Sequence, residues 1–224
     1  MGASSLCYAA GYLTGIAAFL GMAWRRRLLT DGVIALMAVG LLGGLACAGL
    51  GQWLAVREPG KSVIAGLAGG YIAVFAAKRA LGIRRPLGDL FAVAMAAGEA
   101  VGRWGCFFAG CCYGRACSLP WSVWQHGAYR HPTQIYSSLA SLAVLAALIG
   151  FERTRPPENA VFYLQGLLFC ATRFGIEYLR EGPRGLAGLT AAQWACIAGI
   201  AFFAFQFRRL IGARTAPATL AAPG

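Results

Sequence analysis

The stretch "GDLFAVAMAAGEAVGRWGCFFAGCCYGR", residues 88–115, decides the fold. Its first 23 residues, 88–110, are mostly apolar and small, and a hydrocarbon core of about 30 Å is crossed by about 20 helical residues. Yet Glu99 and Arg103 interrupt the run four residues apart, and it closes on Cys106, Cys111 and Cys112 among Gly102, Gly105, Gly110 and Gly114. A membrane-spanning helix that ends in arginine, thiols and glycine sets polar chemistry at the edge of an apolar phase. The whole chain supports that reading. Its 224 residues are 58% hydrophobic and 12% charged, with a mean hydropathy of +0.61, which places it in the membrane class. A soluble α/β domain of this composition would leave much apolar surface in water.

Working outward, apolar runs of spanning length occur at 5–23, 32–54, 60–77, 88–110, 133–151, 159–179 and 188–207, the third being the weakest. Glycine and alanine break them up, as suits helices that approach closely in lipid. The expectation is an all-α polytopic membrane protein with seven transmembrane helices, one domain over 1–211 and a disordered cytoplasmic tail over 212–224. Basic residues gather in alternate loops: Arg25, Arg26 and Arg27; Lys78, Arg79, Arg84 and Arg85; Arg153 and Arg155; Arg208, Arg209 and Arg214. Since lysine and arginine mark the cytoplasmic side, the N-terminus lies outside and the C-terminus inside. The formal charge of +12 then faces anionic lipid head groups. Basic residues split among short loops form no nucleic-acid face. The first span, with its charges after it, reads as a retained anchor.

Charged residues inside a span usually face a cavity or a partner. Glu99 and Arg103 share one face of span four; Arg173, Glu177 and Arg180, spaced four and three, share one face of span six. Both faces fall toward the external leaflet. Three arginines against two carboxylates leave one positive charge unmatched, and a lipid phosphodiester at that depth would satisfy it, arginine's planar fork suiting phosphate oxygens. Internal ion pairs that only fix packing are the plainer alternative. The loop after span four carries the interfacial rings Trp121, Trp124, Tyr129 and Tyr136 and both histidines, His126 and His131. His131, between Arg130 and Pro132 and near Gln134, is a candidate base at the cavity mouth.

Of eight cysteines, Cys7, Cys47, Cys170 and Cys196 are scattered in apolar runs and read as small core residues. Cys106, Cys111, Cys112 and Cys117 cluster within twelve residues at the external end of span four. Three readings stay open: a disulfide or packed thiols in an oxidising compartment, a reactive thiol whose pKa Arg103 and Arg115 would lower from about 8.5, and a metal site. The spacing does not match the common paired zinc pattern, and no metal ligand or cofactor is assigned.

These residues resemble the prolipoprotein diacylglyceryl transferase family. "GR" at 102–103, Gly105, Phe107, Gly110 and "YGR" at 113–115 are similar to its signature block; "RHPTQIY" at 130–136, "TRFGIEYLREGP" at 172–183 and "CYAAGYLTG" at 7–15 follow its later and earlier motifs. The resemblance implies a bacterial inner-membrane transferase that moves the diacylglyceryl group of phosphatidylglycerol to a cysteine thiol of an exported prolipoprotein and releases glycerol phosphate. It implies Arg103 holding the lipid phosphate and Arg173 neutralising the leaving group. Tyr8, Gly105, Gly110, Gly114, Gln134, Glu177 and Arg180 would bind substrate with Arg103, and Arg103 and Arg173 would be catalytic; the residues themselves add His131, Cys106 and Cys111 as catalytic candidates, a base and two reactive thiols. The departures are Cys106 for the family's asparagine, Cys111 for its acidic residue, Ile64 for the histidine of its histidine-glycine-glycine segment, Ser137 for a glutamate, and an additional Glu99. They mark a divergent, cysteine-rich paralogue. The alternatives are a related transferase with another acceptor, a cysteine-based membrane thiol oxidoreductase working with a quinone, and a lipid-binding paralogue without activity.

Overall fold

The computed structural model describes residues 2–57 and 63–215. Seven α-helices follow the seven apolar runs: α1 (Ala3–Arg25), α2 (Asp31–Val56), α3 (Val63–Ala80), α4 (Gly88–Phe108), α5 (Thr133–Glu152), α6 (Ala160–Glu177) and α7 (Ala191–Thr215). Residues 60–62 of the third run lie outside the described residues. The last helix passes residue 211 and continues to Thr215, so the beginning of the expected tail is helical; 216–224 lie outside the described residues.

Four of these helices are long and apolar enough to cross a membrane: Ala3–Arg25, Asp31–Leu54, Thr133–Glu152 and Ala191–Gly212. α4 and α6 are not among the four, and both carry charge. α4 holds Asp89, Glu99 and Arg103, while α6 is 18 residues long and holds Arg173 and Glu177. The residues that make these two helices chemically interesting also lower their apolarity.

The described residues divide into two compact units, one drawn from Met1–Ala18 and Leu87–Gly224, the other from Phe19–Pro86. The second is built on α2 and α3, whose backbones meet through glycine. A Cβ on Gly70 would lie 3.1 Å from the Gly40 carbonyl oxygen, and one on Gly44 would lie 3.3 Å from that of Gly66. In lipid, where burying apolar surface between helices gains little, such close backbone approach supplies the packing.

The first unit contains the candidate site. The first half of α1 meets α4 through the same device: a Cβ on Gly11 would sit 2.9 Å from Gly102 Cα. Ser138 on α5 donates its hydroxyl to the Ala100 carbonyl of α4. Asp89, 2% exposed at the start of α4, accepts the backbone N–H groups of Phe162 at 2.9 Å and Asn159 at 3.1 Å and so caps α6. Glycine again allows α6 to meet α7, where a Cβ on Gly166 would strike the Phe203 ring.

The loop after α4 carries one short strand pair within an otherwise all-helical fold. β1 (Val123–Gln125) and β2 (Ala128–Arg130) form an antiparallel hairpin. Its two central turn residues, His126 and Gly127, have φ of 50° and 75°, the positive values that a twisted two-residue hairpin turn requires. Trp124 and Tyr129 face each other across the strands with centroids 5.2 Å apart, and both are exposed.

Candidate active site

Two helix ends and one loop build the site. α4 ends at Phe108, and Gly110 and Cys112 then adopt φ of 66° and 61°, turning the chain sharply back. Residues 113–117 thread between the α6 exit and the α5 entry. The Arg115 N–H donates to the Leu179 carbonyl at 2.8 Å, Glu181 N–H to Tyr113 at 3.2 Å, and Gly114 N–H to His131 at 3.1 Å. Gly114 must be glycine, because a Cβ would lie 2.9 Å from the Leu179 oxygen and collide with His131. This three-way clamp brings the end of α6 against the cysteines.

Both expected ion pairs form. Arg103 binds one Glu99 oxygen through Nε at 2.9 Å and also through Nη2. Arg173 Nη2 lies 2.8 Å from Glu177 Oε2, and Arg180 Nη1 lies 3.3 Å from the same oxygen. Glu177 is 8% exposed, and its other oxygen accepts the Thr190 hydroxyl at 3.2 Å. The two charged faces converge: Arg173 lies within electrostatic reach of Arg180, Arg103 and Cys112. Three guanidinium groups therefore share one mostly buried neighbourhood. Arg180 also has its Nε buried without an acceptor, which is uncommon for a buried donor.

The thiols adjoin these guanidinium groups, with Cys112 within electrostatic reach of Arg103, Arg173 and Arg180. The sulfurs of Cys106, Cys111 and Cys112 all lie within 4.8 Å of one another. Tyr8 from α1 donates its hydroxyl to Cys106 Sγ at 3.4 Å and lies 3.9 Å from Cys111 Sγ. Gly105 leaves room for that ring, since a Cβ there would fall 2.7 Å from it. Hydrogen bonding with Cys106 and Cys111, aided by the positive fields of Arg180 and Arg103, lowers the Cys112 thiol well below the usual range. The Cys111 thiol is pushed up by its hydrogen bonds with Cys106 and Cys112 and by burial. Arg115, expected from sequence to help activate a thiol, is exposed and is not among the groups that shift Cys112; Arg180 takes that place.

Gln134 is 1% exposed and donates to the Cys111 carbonyl at 2.8 Å, while its own Oε1 is buried without a donor. Thr133 donates its hydroxyl to the Cys112 carbonyl at 2.7 Å. The ring of His131 lies with Nδ1 3.4 Å from the Tyr136 hydroxyl. Tyr136 in turn lines an open groove of about 350 Å³ between α5 and α6, with Ala140, Ala171, Thr172, Gly175 and Ile176. His131 thus sits by the groove, while Arg103, Arg173, Arg180, Tyr8 and the thiols form one cluster. Gly110 approaches His126, whose Nε2 lies 2.6 Å from the Gly110 carbonyl. Ser137, in place of the family's glutamate, bonds back to the Thr133 carbonyl at 2.8 Å. The side chain of Ile64 lies outside the described residues.

Sequence reading did not single out Thr133, Thr190 or the hairpin contact of His126, and it placed Cys112 in the thiol cluster without a role of its own. Thr133 and Cys112 stand beside residues already singled out, so adjacency was the available signal. Thr190 had none, because only the fold brings it to Glu177.

A helical membrane protein with a cluster of buried arginines and thiols near one end of its helices is the class that this fold and site define. Within that class, the model of the prolipoprotein diacylglyceryl transferase family matches residues 4–208, and the chain belongs to that family. A Clostridioides difficile protein named phosphatidylglycerol-prolipoprotein diacylglyceryl transferase is 27% identical over 207 residues, covering 86% of this chain and 84% of its own. Proteins of the same name from Gloeobacter violaceus and Clostridium tetani are 32% and 33% identical, covering 79% and 53% of this chain. The chain spans 61% and 51% of the length of those two relatives.

Proposed function

We propose that this protein is a phospholipid-dependent transferase that moves the diacylglyceryl group of phosphatidylglycerol to a cysteine thiol of an exported prolipoprotein and releases glycerol phosphate. The observation that carries the proposal is the convergence of Arg103, Arg173 and Arg180 on one neighbourhood with a buried Arg180 N–H left unpaired. Against Glu99 and Glu177 these arginines keep one positive charge in excess, and a phosphodiester anion matches it. The relatives' names supply the donor and the acceptor.

In this reading a thiolate sulfur attacks the glyceryl carbon, the carbon–oxygen bond breaks, and its electron pair leaves on the phosphate oxygen. Arg103 holds the phosphate, using the N–H groups that Glu99 does not occupy. Arg173 and Arg180, oriented by Glu177, stabilise the charge that grows on the leaving group; preorganised positive charge of this kind is often the largest catalytic contribution. Tyr8 and Gln134 shape the wall around the reacting carbon. The groove between α5 and α6 gives an acyl chain a lateral way in, and His131 beside it takes up the acceptor's proton. All seven helices cross the bacterial inner membrane with the N-terminus outside, in keeping with the alternation of basic loops. α4 and α6 are tolerated there because their charges face one another.

Purified protein in nanodiscs containing labelled phosphatidylglycerol, supplied with a lipobox peptide, tests the proposal. Label transferred to the peptide cysteine supports it. Label that stays on the lipid, or passes to another acceptor, refutes the assigned reaction.

A further inference from the structure

We propose that Cys106, Cys111 and Cys112 are a three-thiolate zinc site whose open fourth position takes the acceptor cysteine of the transfer reaction. Sulfurs bound to one tetrahedral zinc at about 2.3 Å stand about 3.8 Å apart. The three sulfurs here lie within 4.8 Å of one another, so small side-chain rotations bring them to one ion. Among the described residues no other three metal-ligating side chains converge. Soft thiolate ligands select zinc and cuprous copper over magnesium or calcium.

The site is held in place from outside. Cys106 stands on the last turn of α4, and Cys111 N–H donates to its carbonyl at 3.1 Å. Gln134 and Thr133 fix the carbonyls of Cys111 and Cys112, as the outer partners of a metal site must fix its ligands. Cys112 occupies the left-handed backbone region with φ of 61°, uncommon for a residue other than glycine. Three protein ligands are also the number that leaves zinc an open position for substrate, whereas structural zinc is closed by four. The Tyr8 hydroxyl donates to Cys106 Sγ at 3.4 Å and supports that ligand from outside the three sulfurs.

The inference rests on the transferase reading above and says how its acceptor is activated. A thiol that coordinates zinc loses its proton, here to His131 beside the groove. The zinc-bound thiolate then attacks the glyceryl carbon of the lipid held by Arg103. A carbon–sulfur bond forms, the carbon–oxygen bond breaks, glycerol phosphate leaves with the electron pair, and the thioether product, a poorer ligand, departs from zinc. No electron is lost or gained, so no oxidant is needed. The cysteines act as ligands and not as a transient lipid carrier.

The test uses the full chain in nanodiscs, purified under reducing conditions. Metal analysis should find one zinc per chain, and replacement by cobalt should give a thiolate-to-cobalt charge-transfer band in the near ultraviolet. A lipobox peptide should intensify that band, and the same peptide with serine for cysteine should leave it unchanged. Cys112→Ser and Cys106→Ser should each lose stoichiometric metal, with folding checked by circular dichroism. A fully reduced wild-type protein that takes up neither metal overturns the proposal. So does a disulfide among the three in the active protein, or a cobalt spectrum indifferent to the peptide thiol. Transfer to the peptide that persists in chelated protein sinks the zinc site and leaves the transferase standing. Metal bound and answering to the thiol, without transfer from phosphatidylglycerol, supports the thiol site and refutes the donor instead.

Discussion

Replacing Arg103 by lysine isolates the role of the guanidinium without removing its charge. Arg103 has five N–H donors and commits two of them, on Nε and Nη2, to Glu99. Three remain for a phosphate oxygen. Lysine keeps one positive charge but carries three donors on a single nitrogen, so it cannot grip Glu99 with one edge and phosphate with the other. One or more charge-assisted hydrogen bonds to the lipid are lost, each contributing about 1.5–3 kcal/mol. At 1.4 kcal/mol per tenfold, the KM for phosphatidylglycerol should rise roughly 10- to 100-fold. Alanine is a poorer probe, since it strands the mostly buried Glu99 carboxylate and costs about 3–5 kcal/mol of stability besides. The assay is transfer of labelled diacylglyceryl to a lipobox peptide across a series of lipid mole fractions in nanodiscs, with thermal unfolding measured in parallel. An Arg103→Lys protein with unchanged stability and unchanged KM would refute the assignment of this guanidinium to the lipid phosphate.

Three further outcomes follow from particular contacts. Glu177→Gln keeps the shape of the residue that Arg173, Arg180 and Thr190 all contact but removes its charge; stability should fall by about 3 kcal/mol, the low end for a broken buried pair because both arginines keep some exposure, as read by thermal unfolding. Gly105→Ala places a methyl 2.7 Å from the Tyr8 ring and should cost about 1–3 kcal/mol, with a matching loss of transfer activity as Tyr8 leaves Cys106. Asp89→Ala strands the N–H groups of Asn159 and Phe162, and at about 1–3 kcal/mol for each buried donor it should lower the melting temperature while leaving KM for lipid unchanged in the folded fraction.

How much of this was legible in the sequence differs by element. The seven helices were, because long runs of apolar residues broken only by glycine and alanine favour helix, and four of the seven are long and apolar enough to cross a membrane. The pairs Glu99–Arg103 and Arg173–Glu177 were also legible, since four-residue spacing on a helix dictates a shared face. That the two faces meet was inferred from depth alone, and depth does not give rotation about the helix axis. The clamp of residues 113–117 between Leu179 and His131 supplies that rotation, and it consists of backbone hydrogen bonds that no side-chain pattern encodes. Gly114 shows the limit well: its motif marked it as important, but the reason, a close backbone crossing, appears only in three dimensions. The hairpin was missed because three-residue strands carry too little alternation to read. The thiol cluster was visible as spacing, but spacing alone left a disulfide or packed thiols, a reactive thiol and a metal site all open, with the metal site the least favoured. The structure adds that the sulfurs of Cys106, Cys111 and Cys112 lie within 4.8 Å of one another.

The account depends on Arg103 and Arg173, from different helices, acting on a single lipid phosphate. An experimental structure of the protein in nanodiscs with phosphatidylglycerol bound measures this directly. The account predicts the phosphate between the two guanidinium groups, within hydrogen-bond distance of both, with the neighbouring glyceryl carbon turned toward the Cys106–Cys112 sulfurs. A phosphate seated on only one arginine, or a lipid bound elsewhere with the two guanidinium groups closed on their carboxylates, would contradict it.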